Sequence, residues 1–159
     1  ATEVTKRWHE IKREEKTAGQ KESVIDSVPT HLPALMRAYR ISDRAAREGF
    51  DWPDISGVMG KVEEEWDEFR SELATSRSAD EGRDSVAMEF GDILFSLVNV
   101  ARFANIHPET ALSASIGKFE KRFKRMESIL AETGDEMGSV SFEGLHHLWE
   151  TAKADVGSR

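Results

Sequence analysis

The sequence predicts an all-α protein, a bundle of four to five helices, and three observations carry that prediction. Apolar residues recur at steps of three and four along the long stretches of the chain. No stretch alternates apolar and polar residues as a half-buried strand does. Only four prolines interrupt 159 residues, and they sit with glycines between the periodic stretches, where turns belong.

Taken in order, Val4, Trp8 and Ile11 line one side of a helix over 3–16. Residues 17–33 are polar, carry Gly19, Pro29 and Pro33, and read as a connector. A boundary near Pro29 therefore separates an N-terminal helix and connector (1–28) from the main domain (29–159). Leu35, Tyr39, Ser42 and Ala46 mark a helix over 32–48, with Gly49 just past its end. The loop 50–53 carries two aromatics, Phe50 and Trp52, read as core or loop packing or as a stacking surface for a base.

A second helix over 55–74 aligns Ile55, Val58, Met59, Val62, Trp66, Phe69 and Leu73, with Trp66 expected in the core. A polar loop over 75–84 leads to a helix over 86–104 that is apolar almost all round and reads as buried. Pro108 suits the first turn of the next helix, where Leu112, Ile116, Phe119, Phe123, Met126 and Leu130 form a coiled-coil-like seam. Two glycines break the chain over 133–139, and a last helix over 142–153 carries Leu145, Leu148 and Trp149.

Composition narrows the function. The absence of cysteine excludes disulfides, thiolate zinc sites and a cysteine nucleophile, and suits a cytoplasmic location. A net charge of −8 argues against broad binding to nucleic acid or to anionic membrane. The most apolar run holds Glu89, Asp92, Asn99 and Arg102, so it is no membrane span. The charge is unevenly placed. Residues 51–92 carry 13 acidic and 4 basic side chains, whereas 96–131 carry 3 acidic and 6 basic ones. An acidic segment followed by a basic one suits a site for a cation together with an anion.

The second helix turns Glu64, Glu65, Glu68 and Glu72 along one flank of its apolar stripe, either a solvated acidic face or one wall of a metal site. On the next helix Glu89, Asp92, Ser96 and Asn99 share one side of an otherwise apolar cylinder. A polar stripe on such a helix must be hydrogen-bonded, paired or metal-bound. Either Lys or Arg from another helix neutralises Glu89 and Asp92, or a cation sits between the two helices. Carboxylates without His or Cys suit Mg²⁺ or Mn²⁺. Asn99 either orients ligands or satisfies a buried group. Lys118, Arg122 and Arg125 flank the seam of the fourth helix and Lys61 precedes the acidic run, the cations that a metal-bound polyphosphate requires.

These segments resemble the MazG family, in particular the C-terminal domain of its bacterial members. The resemblance is carried by LPALMRAYRISDRAAREGFDW (32–52), KVEEEWDE (61–68), EFGDILFSLVNVAR (89–102) and KFEKRF (118–123). It implies an all-α nucleoside triphosphate pyrophosphohydrolase, an enzyme that cuts NTPs and dNTPs with broad specificity to the monophosphate and pyrophosphate, using Mg²⁺. Water attack at the α-phosphorus is the implied chemistry. By resemblance Glu64, Glu65, Glu68, Glu89 and Asp92 are the metal-site residues, with Glu64 favoured as the base. Lys61, Lys118 and Arg122 would contact phosphates, and Trp149 the nucleotide.

The family also implies a homodimer or a dimer of dimers, with nucleoside triphosphates as partners and neither nucleic acid nor membrane. Two departures stand out. Family members of this type carry two tandem domains, and WHEIKREEK (8–16) resembles the stretch joining them, as in the C-terminal half of a longer protein. Ser85 stands where some relatives have a lysine. Those departures motivate the competing reading, a non-catalytic helical dimerisation or nucleotide-sensing module. A di-iron bundle, the third class considered, wants Glu-x-x-His pairs that neither acidic motif supplies.

Overall fold

The computed structural model describes residues 23–75 and 82–157, and among these every regular element is helical. The helix expected over 3–16 lies outside the described residues. Five α-helices follow one another: α1 (Ala34–Arg47), α2 (Ile55–Thr75), α3 (Arg83–Phe103), α4 (Pro108–Thr133) and α5 (Phe142–Val156). Short 3₁₀ turns at Val24–Ser27 and Met137–Ser139 precede α1 and α5. They form two compact units, one ending at Ile106 and the other beginning at His107. No helix among the described residues is long and apolar enough to cross a membrane.

Local chemistry sets the helix ends. α1 starts at Ala34, two residues later than expected, with Pro33 as its N-cap. The ring of Pro33 disfavours helical backbone at Leu32, so the helix cannot include it. Gly49 follows the C-cap at φ +90°, a left-handed conformation costly for residues with a Cβ. Asp54, immediately before α2, accepts the Gly57 amide N–H at 3.1 Å and satisfies one of the free donors of the first turn. α3 begins at Arg83, inside the expected polar loop, because Arg83, Asp84 and Ser85 form a solvated first turn. Ser141 caps α5 by accepting from the Gly144 N–H at 3.2 Å.

In the first unit α3 packs against both α2 and α1, and the Val24–Ser27 turn leans on α1. Its core is small: Val28, Val58, Ile93 and Val98 are buried. Aromatic contacts extend it, with Trp66 to Phe69 and Phe69 to Phe90 both at 5.8 Å between ring centroids. In the second unit α4 and α5 form a helical hairpin around Met126, Leu130 and Ala152.

Two burial expectations are corrected, for Trp66 and for α3. Trp66 is 48% exposed rather than core, because the apolar stripe of α2 is wider than the surface its neighbour covers. The seam of α4 is buried only at Met126 and Leu130, while Leu112, Ile116, Phe119 and Phe123 are exposed. α3, read from its sequence as buried, is buried only in part, at Ile93 and Val98 among its apolar residues. Its polar residues Ser96 and Asn99 are buried, and Met88, Phe90, Leu94, Phe95 and Leu97 are exposed.

Candidate metal centre

Packing α2 against α3 turns the flank of one helix toward the polar stripe of the other. Glu65 sits mid-way along α2, and Glu89 and Asp92 are one turn apart near the start of α3. One carboxylate oxygen from each of the three lies within 4.8 Å of the other two. Glu65 is buried, Glu89 half-buried and Asp92 exposed, so the group opens from the helix interface toward solvent.

The electrostatics are those of crowded negative charge. Partial burial pushes the Glu89 carboxyl above its usual value, and the charges of Glu68, Asp92, Glu65 and Glu72 push it further. Among the described residues no ion pair joins a Lys or Arg to Glu89 or Asp92. Lys61, one turn before Glu65, lies 2.6 Å from Glu65 Oε1 and 3.0 Å from Glu64 Oε1. These two carboxylates hold the Lys61 proton above the ordinary lysine range.

Three of the five acids named from sequence thus come together. Glu64 faces Lys61 from an exposed position outside the three-oxygen group. Glu68 is also outside it, within electrostatic reach of Glu89. The polar stripe of α3 continues away from the site. Asn99, 2% exposed, donates from Nδ2 to the Phe95 carbonyl at 3.2 Å and accepts from Arg102 Nη2 at 3.4 Å, which makes it a satisfied buried group.

Sequence reasoning missed the ion pair of Arg102 with Asp51. The available signal was a lone arginine three residues beyond Asn99 on an apolar helix. The loop it holds lines a shallow cavity of about 300 Å³ bounded by Gly49, Phe50, Asp51, Trp52 and Pro53. Phe50 is 80% exposed there, which goes against the packing alternative of the two readings given for it. Trp52 packs over Gly57, whose missing side chain leaves room for the indole.

The remaining predicted residues lie in the second unit. Arg122 holds its guanidinium 5.7 Å from the Trp149 ring centroid, and Phe119 contacts the same ring at 5.4 Å. Arg122 Nε is buried without a hydrogen-bond partner. Lys118 is exposed one turn earlier on α4. Arg125 is engaged within the unit, at 2.7 Å from Asp155 and 3.6 Å from Glu132.

No family model matches the chain. Among the curated proteins similar to it are the following three. The nucleoside triphosphate pyrophosphohydrolase of Escherichia coli strain K12 is 40% identical over 153 residues, covering 96% of this chain and 57% of that protein. The nucleoside triphosphate pyrophosphohydrolase/pyrophosphatase MazG of Thermotoga maritima is 41% identical over 148 residues, 93% of this chain and 54% of that protein. The uncharacterized protein YabN of Bacillus subtilis is 43% identical over 151 residues, 95% of this chain and 30% of that protein. The chain spans little more than half the length of the first two. It is homologous, at 40–43% identity over most of its length, to the MazG family of nucleoside triphosphate pyrophosphohydrolases.

Proposed function

We propose that this chain, through a domain over 29–159, hydrolyses nucleoside triphosphates of both sugar types to the monophosphate and pyrophosphate. The reaction is Mg²⁺-dependent, with Mn²⁺ as a substitute. The observation that supports this most is the convergence of Glu65, Glu89 and Asp92 between adjacent helices of a chain homologous to proteins named for that activity. The donor set fits such an ion: three carboxylates, with no imidazole or thiolate, suit a hard cation. Their spread of up to 4.8 Å compares with the roughly 4.2 Å across an octahedral Mg²⁺, so small side-chain rotations close the difference.

In this reading Glu64 and Glu68 complete the set of acids. When bound, the ion would neutralise phosphate charge and lower the pKa of the attacking water. Glu64, open to solvent beside Glu65, accepts the proton of that water. Lys61, Lys118 and Arg122 hold phosphate oxygens, Arg122 with its guanidinium plane steadied over Trp149. Trp149 contacts the nucleotide. Water attacks the α-phosphorus and pyrophosphate leaves.

The chain works in the cytoplasm as a homodimer or a dimer of dimers. The support for self-association is α3, which leaves Met88, Phe90, Leu94, Phe95 and Leu97 exposed. The deciding assay incubates the protein with Mg²⁺ and each of the common NTPs and dNTPs and resolves the products. Pyrophosphate with monophosphate is expected. Orthophosphate as the only phosphate product, or nucleotide bound without turnover, overturns the proposal, and the latter would mark a nucleotide-sensing module.

A further inference from the structure

The reading above sets a divalent cation against Glu65, Glu89 and Asp92, and the next step rests on it. The site already touches one cation of the protein's own. Lys61 Nζ lies 2.6 Å from Glu65, whose side chain is only 8% exposed and so has little water to stand in for the lysine. Among the described residues no other Lys or Arg pairs with the three acids of the group. A buried carboxylate without a counter-charge is strongly destabilising, and Lys61 supplies that charge.

A divalent ion on the same carboxylate changes the balance. It neutralises the charge that attracts the ammonium, and it adds a like-charged centre a few ångströms away in a half-buried setting where repulsion is poorly screened. The lysine side chain, one-third exposed on a flexible four-carbon stem, can swing into solvent without disturbing α2. We propose that Lys61 is a resident counter-ion, holding Glu65 in the metal-free protein and released from it when a divalent cation binds. The freed ammonium then serves an anionic substrate.

The test uses the whole chain and Mg²⁺ alone. Lysines are reductively methylated with and without Mg²⁺ and quantified by mass spectrometry, while calorimetry follows Mg²⁺ binding to the wild type, K61M and R70M. Labelling of Lys61 should rise about threefold or more with Mg²⁺, with the exposed Lys124 of α4 unchanged. K61M should bind Mg²⁺ about three- to tenfold more tightly, whereas R70M, which removes a charge from the same helix away from the site, should gain less than about twofold.

Flat labelling of Lys61 while calorimetry records bound Mg²⁺ overturns the proposal, since the lysine would then keep one Glu65 oxygen and the metal the other. A K61M affinity no higher than that of R70M overturns it as well. Failure of both wild type and K61M to bind Mg²⁺ removes the metal centre itself, and this proposal with it. The labelling uses wild-type protein, so it decides the matter whether or not K61M folds.

Discussion

Arg102, at the last turn of α3, grips Asp51 with both terminal nitrogens, Nη1 donating to Oδ2 at 2.9 Å and Nη2 to Oδ1. The pair spans 51 residues of chain and is mostly buried on the arginine side, at 12% exposure. It ties the aromatic loop after α1 to the helix that carries Glu89 and Asp92. The Arg102 hydrogen bonds hold the Asp51 carboxyl below the usual carboxylate range, against the opposing effect of burial. A carboxyl depressed in the fold stabilises at pH above its unfolded value near 3.9, and that contribution is lost as pH falls through the lowered folded value. Asp51→Asn should cost about 1–3 kcal/mol at neutral pH, because it leaves a charged donor half-satisfied. Thermal melts across pH check this: the gap between variant and wild type should be full at pH 6 and shrink as acid protonates Asp51.

Glu89 works in the opposite sense. Its carboxyl is raised by burial first and by four acidic neighbours after it, so any stability tied to its proton is present in acid and lost as pH climbs through the raised value. In metal-free buffer at neutral pH, Glu89→Gln should therefore raise the melting temperature slightly. The same variant should lose most of the stabilisation that Mg²⁺ gives the wild type. Paired melts with chelator and with Mg²⁺ read both effects, and a variant destabilised in both buffers would contradict the electrostatic account.

For catalysis, Glu65→Ala and Asp92→Ala should each lower pyrophosphate release by roughly a hundredfold or more, the scale of losing a preorganised charge-stabilising group. Glu72→Ala, on the same acidic flank but outside the three-oxygen group, should leave turnover close to wild type. Initial rates at saturating Mg²⁺ separate the three variants.

The first unit has few buried apolar side chains, so each carries weight. Ile93→Ala should destabilise it by about 2–5 kcal/mol, the range for emptying a buried aliphatic site. Urea unfolding followed by circular dichroism measures the change.

If a second copy covers α3, a charge on its exposed apolar flank should prevent it. Leu97→Glu is expected to lower the sedimentation coefficient to that of a single chain while helix content stays constant. An unchanged oligomer would place the interface elsewhere.

The helices were legible because their information is local. The 3.6-residue period of α1, α2, α4 and α5, the glycine after α1 and the proline opening α4 all act within a few residues. The polar stripe of α3 was legible for the same reason, and it identified Glu89 and Asp92 as candidates. The start of α3 was not, since Arg83, Asp84 and Ser85 read as loop when their solvated first turn is out of sight. Nor was the exposure of Trp66, which depends on how much of its stripe a neighbour covers.

The order of residues alone determined that the chain is helical and that its acids lie on two consecutive helices, because periodicity assigns each side chain an angle about its own axis. Tertiary structure decided which acids meet. The roll and crossing of α2 on α3 bring Glu65 to Glu89 and Asp92 and leave Glu64 with Lys61. The same packing joins Arg102 to Asp51. Helical phase is silent on both, since an angle about one axis says nothing about the distance to another.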